Sequence, residues 1–155
     1  MLYSLKMKRN EETYMLHRKE GQLDFERITL SIIGTMASTR EYELLKTKDG
    51  LLATMYDGSW NYNDTVKRKD CQVGQGIGTG RTYREVAQTI HRLGVEKWDG
   101  FCKSDPNALD GESFSLEIVL ADKKKITAHG CNAYPKNYRE FLDCLDEAVY
   151  GPKEY

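Results

Sequence analysis

The tightest constraint on this chain is a period-two alternation of apolar and polar side chains in two well-separated stretches. From Ser113 to Leu120, Phe114, Leu116, Ile118 and Leu120 alternate with Ser113, Ser115, Glu117 and Val119. From Phe25 to Ile33, Ile28, Leu30 and Ile32 face one way, and Arg27, Thr29 and Ser31 the other. Such a period puts every second side chain on the same side of a strand, so each stretch has a greasy face and a wet face. Strands of that kind belong to an antiparallel sheet with one side covered.

Weaker runs extend the pattern. Tyr3, Leu5 and Met7 alternate with Ser4, Lys6 and Lys8, and Thr13 to His17 repeats the alternation faintly. Glu41–Thr47 and Leu51–Tyr56 flank Lys48-Asp49-Gly50. Asp-Gly between two apolar-rich runs predicts a hairpin, because glycine accepts a positive φ. A lysine-rich turn leads from the strand ending at Leu120 to a returning strand, Lys125–His129.

Two segments carry the helical period instead. Tyr83, Val86, Ala87, Ile90 and Leu93 form one apolar stripe, with Thr82 and Glu85 spaced as a capping box and Gly94 as the stop. Tyr138, Phe141, Leu142, Leu145 and Val149 form a second stripe, begun by Asn137 and Glu140 and ended by Gly151-Pro152. Trp98 and Phe101 are expected to anchor the chain leaving the first helix. The expected fold is α+β, a mostly antiparallel sheet with two amphipathic helices, about 82–94 and 137–150, packed on one face. A length of 155 residues fits a single domain.

Charge narrows the partners. With 23 basic and 24 acidic side chains the net charge is −1, without the basic excess of a nucleic-acid binder, so nucleic acid is disfavoured. Lys67-Arg68-Lys69 and Lys123-Lys124-Lys125 read as solvated turns. Met1 to Arg9 has no continuous apolar core, and no apolar run approaches the roughly 18 residues of a membrane span, so neither a signal peptide nor a membrane segment is expected. Cys71, Cys102, Cys131 and Cys144 form no Cys-x-x-Cys pair, which favours free, mostly structural thiols in a reducing, cytoplasmic setting.

The stretch from Asp57 to Gly80 reads as turn-like, the longest irregular run, and long loops often carry function. At its start, Tyr56, Trp60 and Tyr62 interleave rings with amide and carboxylate side chains, which suits a protein-binding rim or a sugar-stacking surface as well as the plain covering of a sheet edge. Gly74 to Gly80 alternate strictly and end at Arg81, next to a helix start. Closely spaced glycines at Gly76, Gly78 and Gly80 could let amides approach an anion that Arg81 neutralises. The spacing matches neither the dinucleotide fingerprint nor the P-loop, so a flexible connector is the simpler reading.

His129-Gly130-Cys131 sets two ligand types on one strand face, but Cys102, Cys144, His17 and His91 lack the spacing to complete a metal set. Asp143, Glu147 and Asp146 read as a solvated acidic helix face. No catalytic motif, cofactor or metal is expected.

The last third, from Ser113-Phe114-Ser115-Leu116-Glu117-Ile118 through Asn132-Ala133-Tyr134-Pro135 to Tyr138-Arg139-Glu140-Phe141-Leu142, resembles small uncharacterised bacterial α+β domains. The resemblance implies fold and a bacterial-type origin, with no activity to carry over. The resulting expectation is a non-enzymatic binding domain for a protein or small ligand, using the 56–81 stretch. The alternatives are an anion or nucleotide module at Gly74–Arg81 and, behind it, an enzyme joining Cys131 or His129 to a carboxylate.

Overall fold

The computed structural model describes residues 21–34, 38–59, 72–78, 80–107 and 111–151. The two strands expected near Tyr3 and Thr13 lie outside these residues. Among these residues seven strands form one sheet: β1 (Phe25–Ile33), β2 (Ser38–Thr47), β3 (Gly50–Ser59), β4 (Gln72–Gly78), β5 (Cys102–Ser104), β6 (Ser113–Leu120) and β7 (Lys125–Cys131). Their order is β4-β3-β2-β1-β6-β7-β5, and every pair is antiparallel except β5 with β7. Helix α1 (Gly80–Arg92) carries the chain from one edge strand towards the other, and helix α2 (Tyr138–Tyr150) follows β7. The fold is α+β, as the alternation and the two stripes require.

Register shows how one face became the core. Ala53, Leu44, Ile28, Ile118 and Ile126 form one row across five strands, and Met55, Tyr42, Leu30, Leu116 and Ala128 form the next. All ten are buried. A bulge between Phe25 and Arg27 shifts the register, so Phe25 and Ile28, three residues apart, both face inward. Both helices lie over this face. Tyr83 of α1 packs against Phe25 with ring centres 4.8 Å apart and planes tilted by 41°, and its hydroxyl both accepts from the Phe25 amide and donates to the Phe25 carbonyl. Phe141 of α2 meets Trp98 edge-on at 5.2 Å. Trp98 sits in a 3-10 turn (Val95–Trp98) that starts behind Gly94, whose φ of 73° is the left-handed stop expected of it. Phe101 packs against the same core, as expected.

Several local expectations shift. The hairpin turns on Lys48 and Asp49, because Thr47 already pairs with Gly50, so glycine occupies the first paired position of β3 with φ 137°. The stretch read as irregular is partly regular: β3 runs on to Ser59, and 72–78 is an edge strand laddered to β3. Glycines that alternate leave no side-chain period to read, and backbone pairing supplies the order instead. Helix α1 opens at Gly80, which puts Thr82 inside its first turn and not at the cap. Asn137 precedes α2 in the left-handed conformation (φ 70°) and makes no capping bond; its side chain instead donates to the Leu93 carbonyl at 3.1 Å, tying the start of α2 to the end of α1. Gly151 ends α2 with φ 84° and donates its amide to the Glu147 carbonyl at 2.8 Å.

Candidate functional site

A third row on the covered face runs Asp57, Arg40, Ile32, Phe114, Gly130. It marks the end of the sheet where apolar cover gives way to charge. Here the first half of α2, the β7–α2 connection and Glu112, just before β6, line a groove of about 700 Å³. Arg40, Glu112, Tyr134, Tyr138, Asp143 and Asp146 are among its walls. That size lies within the usual range for a ligand site, roughly 300–1,000 Å³.

The walls are held in place. The Tyr42 hydroxyl donates to Asp146 of α2, and Arg40 bonds to the same hydroxyl from two residues away on β2. Burial first, then the Asp146 carboxylate, push the Tyr42 phenol far above its ordinary range. Burial works against the Arg40 charge, but the Tyr42 hydrogen bond and the Asp146 and Asp57 carboxylates outweigh it and raise its pKa. Asp146, read from the sequence as part of a solvated face, is therefore a fixed member of a three-residue chain that locks α2 to β2. On the far wall Glu112 is clamped through its backbone: its amide donates to Asn132 Oδ1 at 2.9 Å, and its carbonyl accepts from the Asn132 amide at 2.9 Å. The Tyr134 hydroxyl donates to Glu112 Oε1 at 3.1 Å. Burial and this carboxylate push the Tyr134 phenol up to about 12, so it remains a donor at neutral pH.

Between the walls lies an aromatic cluster. Phe114 stacks on Tyr134 at 5.8 Å and 16°, and Tyr138 packs against Phe114 and Tyr134, 4.8 Å from each. Tyr138 is only 7% exposed, and its buried hydroxyl has no hydrogen-bond partner among the described residues. Burial raises its pKa far above the ordinary value, and the charged or polar groups acting on it next are Glu112, Tyr134, Tyr42 and Arg40, all but Tyr42 in the groove wall. A buried hydroxyl without a partner costs about 1–3 kcal/mol. Tyr138→Phe is thus expected to stabilise the free protein by about 1 kcal/mol, read as a higher urea midpoint with an unchanged slope; a lower midpoint would show that the hydroxyl is satisfied.

The tyrosines also set the alkaline limit. Burial pushes Tyr83 up to about 12, against an ordinary value near 10. The folded state then holds protons that the unfolded state releases, so this stabilisation is complete below pH 10 and is lost as pH rises through 12. Each pH unit in that window removes about 1.4 kcal/mol per buried tyrosine. Urea midpoints should fall steeply from pH 10 to about 12, with phenolate absorbance at 295 nm lagging until unfolding. Early phenolate absorbance with a flat midpoint would contradict this.

No described element covers the opposite face of the sheet. The row Tyr56, Glu41, Ser31, Ser115, His129, Cys102 crosses it, with Ile33, Ser113, Cys131 and Ser104 beside it. Parallel pairing sets Cys102 opposite His129, a juxtaposition that the sequence spacing hid. A hollow of about 410 Å³ lies over these residues, and no carboxylate lines it among the described residues. No group of three His, Cys, Asp or Glu among the described residues could hold a metal. Cys102 and Cys131 are exposed, which corrects the expectation of mostly structural thiols. The half-buried Cys144 thiol is pushed up to about 11 by burial, so it stays protonated.

Of the residues singled out from the sequence, Tyr56 is half-buried on the sheet face opposite the helices, Gly76 and Gly78 lie in β4, and Gly80 and Arg81 open α1. Trp60 and Tyr62 lie outside the described residues. Among the described residues, none of them lines the groove beside α2. Tyr134 and Tyr138 could have been found from the density of tyrosine around Asn132–Tyr138, whereas Arg40, Tyr42 and Glu112 arrive only through strand pairing.

No family model, curated protein or solved structure matches this chain. The site therefore stands on its own geometry. Among the described residues, no helix is long and apolar enough to cross a membrane.

Proposed function

We propose that this chain is a non-enzymatic binding domain for a protein or small ligand, with the groove beside α2 as its recognition surface. One observation carries the reading: Tyr138 holds an enclosed hydroxyl without a partner among the described residues, at the side of a groove whose Arg40, Glu112 and Asp146 walls are held by hydrogen bonds. An unsatisfied buried donor is retained at a cost in stability, and a bound acceptor or donor recovers that cost. Tyr134, 42% exposed and hinged on Glu112, is the side chain that must yield for a ligand to reach it. The phenols lining the groove have raised pKa values and act as hydrogen-bonding groups, not as bases. A reducing, cytoplasmic setting is supported by three unpaired thiols among the described residues.

The test is amide shift mapping on the full chain with a panel of acetylated tripeptide amides of varied central residue. Shifts should cluster at Glu112, Tyr134, Tyr138 and Asp143 and vanish in Tyr134→Ala. Shifts centred on Tyr56 and β4 instead would move the surface to the 56–81 stretch first read from the sequence.

A second reading places an anion or nucleotide at Gly80 and Arg81, supported by the opening of a 13-residue helix directly at that glycine. Thermal shift with inorganic phosphate and with ATP tests it. Arg81→Ala should abolish any shift, and the absence of a shift removes the idea.

A further inference from the structure

We infer that the groove beside α2 receives a basic side chain, the guanidinium or ammonium group of an Arg or Lys in a partner protein's segment; this rests on the groove being the recognition surface.

Charge is the first argument. Four carboxylates, Glu112, Glu140, Asp143 and Asp146, line the groove against two guanidiniums, Arg40 and Arg139. Arg40 is already engaged by the Tyr42 hydroxyl and faces Asp146 and Asp57. The field offered to a ligand is therefore negative, and an anionic ligand would meet an excess of like charge. The carboxylates do not stand alone. The Tyr138 hydroxyl, in a side chain more than nine-tenths buried that lines the groove with Glu112, Tyr134 and Arg40, has no partner among the described residues, and its oxygen can accept an N–H.

Ring geometry is the second argument. Tyr134 exposes much of its ring beside the carboxylate that its own hydroxyl holds in place. A cation within about 6 Å of a ring face is attracted by the ring quadrupole, and a carboxylate at the ring edge adds a direct ion pair. The chain uses cations this way elsewhere, with Lys46 lying 4.8 Å from the centre of the Tyr83 ring and Lys103 5.5 Å from that of Phe101. The groove also extends along α2 past the aromatic pair to Asp143 and Asp146, longer than one side chain needs and suited to flanking backbone.

The experiment is calorimetric and NMR titration of the full chain with acetyl-Gly-Arg-Gly-amide, its citrulline counterpart, its glutamate counterpart and free arginine amide. The arginine peptide should bind at least fivefold more tightly than the citrulline peptide, and more tightly than arginine amide. Glu112→Gln, which keeps the backbone clamp to Asn132, should erase the arginine preference while its thermal melt stays near wild type. Equal binding of the citrulline peptide, or tighter binding of the glutamate peptide, overturns the basic-side-chain inference and leaves the groove reading intact. Arginine amide binding as well as the peptide overturns the protein segment in favour of a free amine. Failure of every peptide, including those of the wider panel, overturns both.

Discussion

Phe141→Ala is expected to cost about 4 kcal/mol and to lower the melting temperature by roughly 10 °C. Phe141 is wholly buried, meets Trp98 edge-on at 5.2 Å and belongs to the apolar stripe that seats α2 over the sheet. Truncation removes the transfer free energy of the ring and leaves a cavity that Leu145 and Tyr138, both fixed in the same stripe, cannot fill. Because α2 supplies one wall of the groove, peptide-induced shifts should weaken as well. Chemical denaturation read by tryptophan fluorescence checks this, since Trp98 is the ring beside the new cavity. A loss under 1 kcal/mol would mean that α2 is not docked through this side chain.

Gly130→Ala is expected to cost about 3 kcal/mol, although it adds a single methyl group to a strand. A Cβ at this position would stand 2.1 Å from the Ala133 carbonyl oxygen and 2.4 Å from Cε1 of Phe114. The first clash is with backbone, so a rotamer change cannot relieve it. The second pushes Phe114 towards Tyr134 and Tyr138, the rings it stacks against. The substitution should therefore disturb Tyr134 and Tyr138 resonances even under conditions where the protein stays folded. Phe114→Leu in the same chain should restore only part of the stability, because the carbonyl remains. Unchanged urea midpoints and unchanged tyrosine resonances would contradict the contact.

These two positions show what the sequence exposes and what it hides. Phe141 was legible, because a stripe at helical spacing tells which residues of α2 must turn inward. The same holds for Ile28, Leu30 and Ile32 of β1 and for Phe114 to Leu120 of β6. Gly130 was not legible as a packing constraint, since what it makes room for comes from Phe114 on the neighbouring strand and from the chain three residues on. Strand β4 was hidden because Gly74, Gly76 and Gly78 carry no side chains to alternate, and β5 because three exposed residues are too few for any period. Asn137 looked like a helix cap, yet its left-handed backbone turns the side chain towards Leu93 instead.

The groove itself was the least legible feature. Arg40 and Tyr42 come from β2, Glu112 from the residue before β6, and Tyr138 and Asp146 from α2, so only pairing of distant strands and docking of the helix bring them together. From the sequence, Asp146 belonged to a solvated acidic face, because nothing local marks the buried phenol waiting across the interface. Trp60 and Tyr62 of the aromatic run lie outside the described residues, while Tyr134, in the turn after β7, and Tyr138, in the helix stripe, line the site.

Paired measurements on Tyr138→Phe test the central claim most directly: urea unfolding of the free chain and titration with acetyl-Gly-Arg-Gly-amide. The two effects should oppose one another, with the midpoint rising by the equivalent of about 1 kcal/mol and the peptide affinity falling several-fold, because the hydroxyl costs the free protein what a ligand recovers. A variant that is less stable, or one that binds the peptide as well as wild type, would contradict it.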